Sequence, residues 1–238
     1  KDGKIIKSTL VNSMKDNASF SLTTDINYNL NSNEIITDEF LNGLLKQYFI
    51  YNKNGLLDGE SREYYEEGDI KSISHFKNDI PDGVFISYYQ NGNIENKYAY
   101  VNGQANGECF SYYENGKLEE RYFLKNGEID GEAFAYYPSG KLRGKEVQKL
   151  GKREGESIIY HENGNIKQKS TFKNDKREGD LFIYFPSGKL RQTEKYINGK
   201  IEGEVIEYYE SGTIKEKAYF INDKQEKEHF FYDEKGKL

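Results

Sequence analysis

Histidine, cysteine and paired carboxylates build most reaction centres, and this chain distributes them against each such use. It holds three His and one Cys. His75, His161 and His229 stand far apart. They form no His-x-x-x-His or Cys/His spacing, so neither zinc ligation nor a general base is indicated. Cys109 has no base near it in sequence, and a lone cysteine excludes a disulfide framework. It reads as a small half-buried side chain. The 40 Asp and Glu recur periodically, whereas a catalytic pair should break a period, because a reaction happens once. The 23 Gly include no Gly-x-x-x-x-Gly-Lys-Ser/Thr loop and read as turn residues. The expectation is a chain that is not an enzyme, with no catalytic residue, metal or cofactor.

Recognition chemistry has the better claim. There are 21 Tyr and 14 Phe, and Tyr is favoured at interfaces because it is rigid and can hydrogen-bond. Tyr89, Tyr113, Tyr137, His161, Phe185 and Tyr209 recur at intervals of 24 residues, with Lys97, Arg121, Lys145, Lys169 and Lys217 at a second fixed position. These residues form the candidate partner-binding set. The net charge of -6 argues against a nucleic-acid partner.

The elements that position these residues follow from the same interval. Gly59, Gly83, Gly107, Gly131, Gly155, Gly179 and Gly203 step by 24, as do Tyr64 to Tyr232 and Gly68 to Gly236. Residues 58–225 are therefore seven uninterrupted repeats, 226–238 a truncated eighth, and 1–57 degenerate repeats or an N-terminal cap. In the last unit Lys227 stands at the strand-start glycine position, consistent with a cap. Only 35% of residues are hydrophobic, too few for a thick core, and no apolar run of about 18 residues exists to span a membrane as a helix. The aromatic content excludes disorder.

Each repeat carries two turn signals, as in Leu181–Phe185, Pro186-Ser187-Gly188, Leu190–Ile197 and Asn198-Gly199. One β-hairpin per repeat follows. Asn115-Gly116 alone would suit a two-residue type I′ loop. Pro138-Ser139-Gly140 and Pro186-Ser187-Gly188 instead favour a three-residue loop with a G1 bulge, which fits every repeat. That loop pairs Tyr184 with Leu190, and equivalently Tyr136 with Leu142. Simple alternation then puts the 89-to-209 aromatic ladder and the lysine and arginine series together on the opposite face.

The pattern Gly107-Glu108 through Tyr112-Tyr113-Glu114-Asn115-Gly116-Lys117-Leu118 resembles the MORN repeat in its bacterial variant form. The absence of Trp departs from many copies of that repeat. The resemblance covers about 58–238 and implies an all-β fold, an elongated single-layer antiparallel sheet of stacked hairpins. Hairpins two strands wide would advance about 10 Å per repeat, for a body on the order of 80–90 Å. It implies no reaction: some phosphoinositide kinases carry such repeats, but no His-Arg-Asp or Asp-Phe-Gly motif is present here. Members include scaffolds, membrane-associated modules and proposed antitoxins of toxin–antitoxin pairs. The expected function is a non-enzymatic scaffold binding a protein partner through an extended sheet face. The alternative is a secreted or cell-surface bacterial factor that contacts host or envelope components such as anionic lipid or glycan. The first residue is Lys1 and not Met, the mark of a processed or trimmed chain, which tilts the expectation toward export or the envelope over the cytoplasm.

Overall fold

The computed structural model describes residues 6–11, 21–26, 34–39 and 43–238, with side chains from residue 43 onward. Among these residues every regular element is a β-strand, and no helix is long and apolar enough to cross a membrane. The chain divides into two units, Lys1–Asn106 and Gly107–Leu238.

In the first unit Ile6–Val11 pairs with Ser21–Ile26, and hairpins follow at Glu34–Glu39/Leu45–Tyr51, Gly59–Tyr64/Ile70–Lys77 and Gly83–Tyr88/Ile94–Val101. Within this unit the first of these three hairpins bonds to the second and the second to the third, as Gln47 to Glu63 and Ser72 to Ser87. The second unit repeats the plan with Gly107–Tyr112/Leu118–Lys125, Gly131–Tyr136/Leu142–Lys149, Lys152–Tyr160/Ile166–Lys173, Gly179–Tyr184/Leu190–Ile197 and Gly203–Tyr208/Ile214–Ile221. All pairing is antiparallel and runs in sequence order, so the sheet is open and the all-β hairpin-repeat architecture stands as expected.

Turn chemistry sets the register. At the first turn of a repeat, Tyr137 N–H donates to Lys141 O at 2.8 Å and Gly140 N–H to Tyr137 O at 2.7 Å, with Gly140 at φ +88°. This is the three-residue G1 loop, and only a residue without Cβ takes that φ without strain. The second turn is a two-residue type I′ loop, as at Asn126 (φ +52°) and Gly127 (φ +83°). Tyrosine accordingly faces aliphatic residues at Tyr64–Ile70, Tyr88–Ile94, Tyr112–Leu118, Tyr136–Leu142, Tyr160–Ile166, Tyr184–Leu190 and Tyr208–Ile214.

One step past each of these pairs the register shifts. Tyr184 pairs with Leu190, yet Ile183 pairs with Gln192, which leaves Arg191 as an extra residue. The bulge recurs in every hairpin of the series and reverses the alternation beyond it. The buried residues then lie mainly on the face away from the Tyr–aliphatic pairs. Cys109, Phe172, Leu181, Tyr196 and Ala218 are there, each at most 9% exposed, and among the described residues only Ile158 of the buried hydrophobics lies on the tyrosine face.

Candidate functional site

The aromatic ladder is built into the stacking of the hairpins. The hydroxyls of Tyr113, Tyr137 and Tyr209 donate to the backbone carbonyls of Tyr136, Tyr160 and Tyr232 at 2.7, 2.6 and 2.8 Å. Tyr65, one repeat before the expected series, donates likewise to Tyr88 O at 2.6 Å. His161 reproduces the bond with Nε2, 3.0 Å from Tyr184 O, so Nε2 carries the proton. Phe185 has no donor; its ring lies 5.9 Å from the Arg191 guanidinium carbon instead. The ladder rings, Tyr89 among them, are half-buried.

The basic series is not where alternation placed it. Lys97 pairs with Ile86, Arg121 with Phe110, Lys145 with Phe134, Lys169 with Ile158 and Lys217 with Ile206. Directly paired residues share a face, so these cations stand on the Tyr–aliphatic face. The cause is the bulge, one extra residue that turns every following side chain over. On that face three of them meet carboxylates. Lys169 Nζ is 2.6 Å from Glu156, Lys217 Nζ 2.7 Å from Glu204 and Arg121 Nε 3.9 Å from Glu108. The hydrogen bonds to Glu156 and Glu204 hold the Lys169 and Lys217 ammonium pKa above the usual lysine value.

The histidines and the cysteine have structural partners. His75 Nδ1 is 2.9 Å from Val84 O, and His229 Nε2 is 2.8 Å from a Glu216 carboxylate oxygen. Cys109 is 2% exposed, and burial pushes its thiol up to about 11, the reverse of an activated nucleophile. Among the described residues no group of three His, Cys, Asp or Glu is placed to hold a metal ion.

Reasoning from motifs missed a cleft of about 630 Å³ in the second unit. Phe172, Arg153 and Arg177 line it, with Glu120, Arg143 and Glu146. Arg143 Nη2 is 3.4 Å from Glu120 Oε1, and Gln148 donates to Glu146 Oε1 at 2.6 Å. The Arg153 guanidinium carbon is 4.1 Å from the centre of the Phe172 ring, and that of Arg177 is 5.4 Å from the centre of Tyr196. Beside the cleft, the Tyr196 hydroxyl donates to Glu194, and burial followed by that bond pushes its pKa up to about 12. A signal existed in the sequence. The position two before the strand-start glycine is Leu57, Pro81, Ala105, Ile129 and Ile201 in five repeats, but Arg153 and Arg177 in two consecutive ones.

The fold and this periodic surface define a class, the tandem β-hairpin repeat proteins. Seven consecutive matches to the MORN repeat variant, at residues 57–78, 81–102, 105–126, 129–149, 153–174, 177–198 and 201–222, cover more than half of the sequence, and the chain belongs to that family. No curated protein matches it. Among solved structures it is similar to the crystal structure of TcdB2-TccC3-TEV at 11% identity and TM-score 0.21, over 84% of this chain and 12% of that one. It is similar to TcdB2-TccC3 at 11% identity and TM-score 0.18, over 89% of this chain and 15% of that one. The chain thus spans less than a sixth of either, and likeness at this level adds nothing to the functional reading.

Proposed function

We propose that this chain is a non-enzymatic repeat scaffold that binds a protein partner through an extended sheet face, in the manner of an antitoxin that holds its toxin. The observation that carries this reading is the recurrence of a half-buried ring at the same end of successive hairpins, at Tyr113, Tyr137, His161, Phe185 and Tyr209. A periodic surface suits a long contact and offers no unique centre for a reaction. The candidate contact residues are Tyr89, Tyr113, Tyr137, His161, Phe185 and Tyr209 at one end of the hairpins, and Lys97, Arg121, Lys145, Lys169 and Lys217 on the tyrosine face. An anionic lipid or glycan surface is the weaker reading, because Glu108, Glu156 and Glu204 already oppose three of these cations.

The test begins with affinity capture from the native organism and identification by mass spectrometry. The purified partner is then titrated against the parent protein, Tyr113→Ser with Tyr137→Ser, and Lys145→Glu with Lys169→Glu, each first shown to be folded by circular dichroism. The aromatic pair should cost about 2 kcal/mol or more of binding. The lysine pair should act chiefly on association rate and salt dependence. Unchanged binding by both folded variants would remove these surfaces from the interface.

A further inference from the structure

The cleft at Arg153, Phe172 and Arg177 is where the repeat stops repeating. Two consecutive repeats put arginine at a position that is Leu57, Pro81, Ala105, Ile129 and Ile201 in the other five. Both arginines lie against the Phe172 ring, with guanidinium carbons 4.1 and 5.9 Å from its centre. Packing of this kind occupies the flat faces of a guanidinium and leaves its N–H edges for an acceptor. Arg153 already shares its Nε with Asp175 at 3.8 Å. Arg177 has no carboxylate partner among the described residues; its guanidinium acts on the Tyr196 hydroxyl by charge and hydrogen bonding, and its Nε alone is buried without a partner. A buried donor left unmade is costly, so its retention calls for a use.

The charge of the lining indicates what that use is. On the cleft side Arg143, Arg153 and Arg177 stand with Glu120 and Glu146, a surplus of one positive charge in a protein of net charge -6. Arg143 is paired with Glu120 and Arg153 with Asp175, which leaves Arg177 as the cation without a carboxylate. The surplus is small, and Glu120 and Glu146 would repel a dianionic phosphate or a nucleic-acid backbone. Phe172, Ile129, Ala133 and Ile159 supply apolar walls, and about 630 Å³ lies within the size range of sites that enclose a small group. We propose that this cleft receives one carboxylate, carried by Asp or Glu within an otherwise apolar segment of a partner protein, with Arg177 as the fork that binds it. The inference rests on the scaffold reading and adds to it a second, non-periodic contact.

The test uses a random dodecapeptide library displayed on phage, selected against the whole chain. Selected peptides are synthesised, and their affinity is measured against the parent, Arg177→Met and Arg177→Lys. The enriched peptides should share one Asp or Glu flanked by apolar residues. Exchange of that acid for its amide, and Arg177→Met, should each weaken binding about 10-fold or more, and the two together little more than either alone. Arg177→Lys keeps the charge and the stem but loses the fork, and should also weaken binding. If Arg177→Met does not fold, Arg177→Lys and the amide peptide decide the matter. Selection that yields no shared acid, or an acid peptide held equally by the folded variants, overturns the proposal. So does a phosphoserine peptide that binds more tightly than the carboxylate. A natural partner that ignores Arg177→Met but is lost with Tyr113→Ser and Tyr137→Ser would sink this inference and leave the scaffold reading standing. A partner indifferent to both surfaces would sink both.

Discussion

The hydroxyl of Tyr137 donates to the backbone carbonyl of Tyr160, 2.6 Å away and 23 residues further along the chain. The bond ties one hairpin to the turn-side end of the next, and Tyr65, Tyr113 and Tyr209 make the same link in their own repeats. In a repeat array each unit touches only its neighbours, so such links contribute to the interface terms that hold the array together. Tyr137→Phe should cost about 1 kcal/mol, the net worth of one hydrogen bond. Phe185→Tyr should do the reverse and add a donor where the series lacks one. Urea denaturation of both variants checks the pair. Stabilisation by Tyr137→Phe, or a marked loss with Phe185→Tyr, would contradict the assigned role.

Leu150 occupies a left-handed turn position at φ +49°, followed by Gly151. Asn stands there in the neighbouring turns at Asn126, Asn174, Asn198 and Asn222. Leucine pays for that conformation with a Cβ clash that asparagine relieves by local hydrogen bonding. Half of the Leu150 side chain is exposed, so little apolar burial would be lost on replacement. Leu150→Asn should raise stability by about 1 kcal/mol, read as a higher melting temperature. No gain would mean that the leucine is held by contacts that offset the strain.

Gly140 closes the G1 loop at φ +88°, and a Cβ there would stand 3.4 Å from Lys117 Cδ. The neighbouring side chain could yield, so backbone strain decides the outcome. Gly140→Val should destabilise by about 1–3 kcal/mol, and Ser139→Ala by far less. Hydrogen exchange should show the loss around residues 106–178 before the ends of the chain, since damage in a repeat array stays local. Uniform loosening would refute the one-dimensional picture.

Much of this was legible before any coordinates. The interval between Gly59 and Gly83 gave the hairpin, and Pro138-Ser139-Gly140 gave the loop, because turns need particular residue types. The bulge was not legible. Its extra residue is Lys71, Glu95, Glu119, Arg143, Lys167, Arg191 or Lys215, always charged, but charged residues fill many solvent-facing positions of the same strands, so charge does not single out a bulge. Missing it moved Lys97, Arg121, Lys145, Lys169 and Lys217 to the wrong face. The Tyr137–Tyr160 link was hidden for another reason: its acceptor is a backbone carbonyl, to which side-chain patterns are blind. Arg153 and Arg177 stand out in the sequence as a break in the period, but they belong to no motif of catalysis or ligand binding, and only the fold brings both against Phe172.

Tyr196 offers a test that needs no partner. It is 9% exposed, and burial first, then its bond to Glu194, push its pKa up to about 12 from an ordinary 10. The folded protein therefore keeps this proton at a pH where the unfolded chain has released it. Below pH 10 both states hold the proton, and the residue adds no pH dependence. Between pH 10 and about 12 the unfolded state binds fewer protons, so stability falls as pH rises. Allowing for solvent screening, the loss should be on the order of 1–2 kcal/mol. Other tyrosines also ionise in this range, so the measurement is a comparison. Urea midpoints of the parent and Tyr196→Phe should be taken at pH 8 and across the alkaline window. The variant should lose less stability over that window than the parent, by the amount Tyr196 contributes. Parallel loss in the two proteins would show that the Tyr196 proton is not held by the fold.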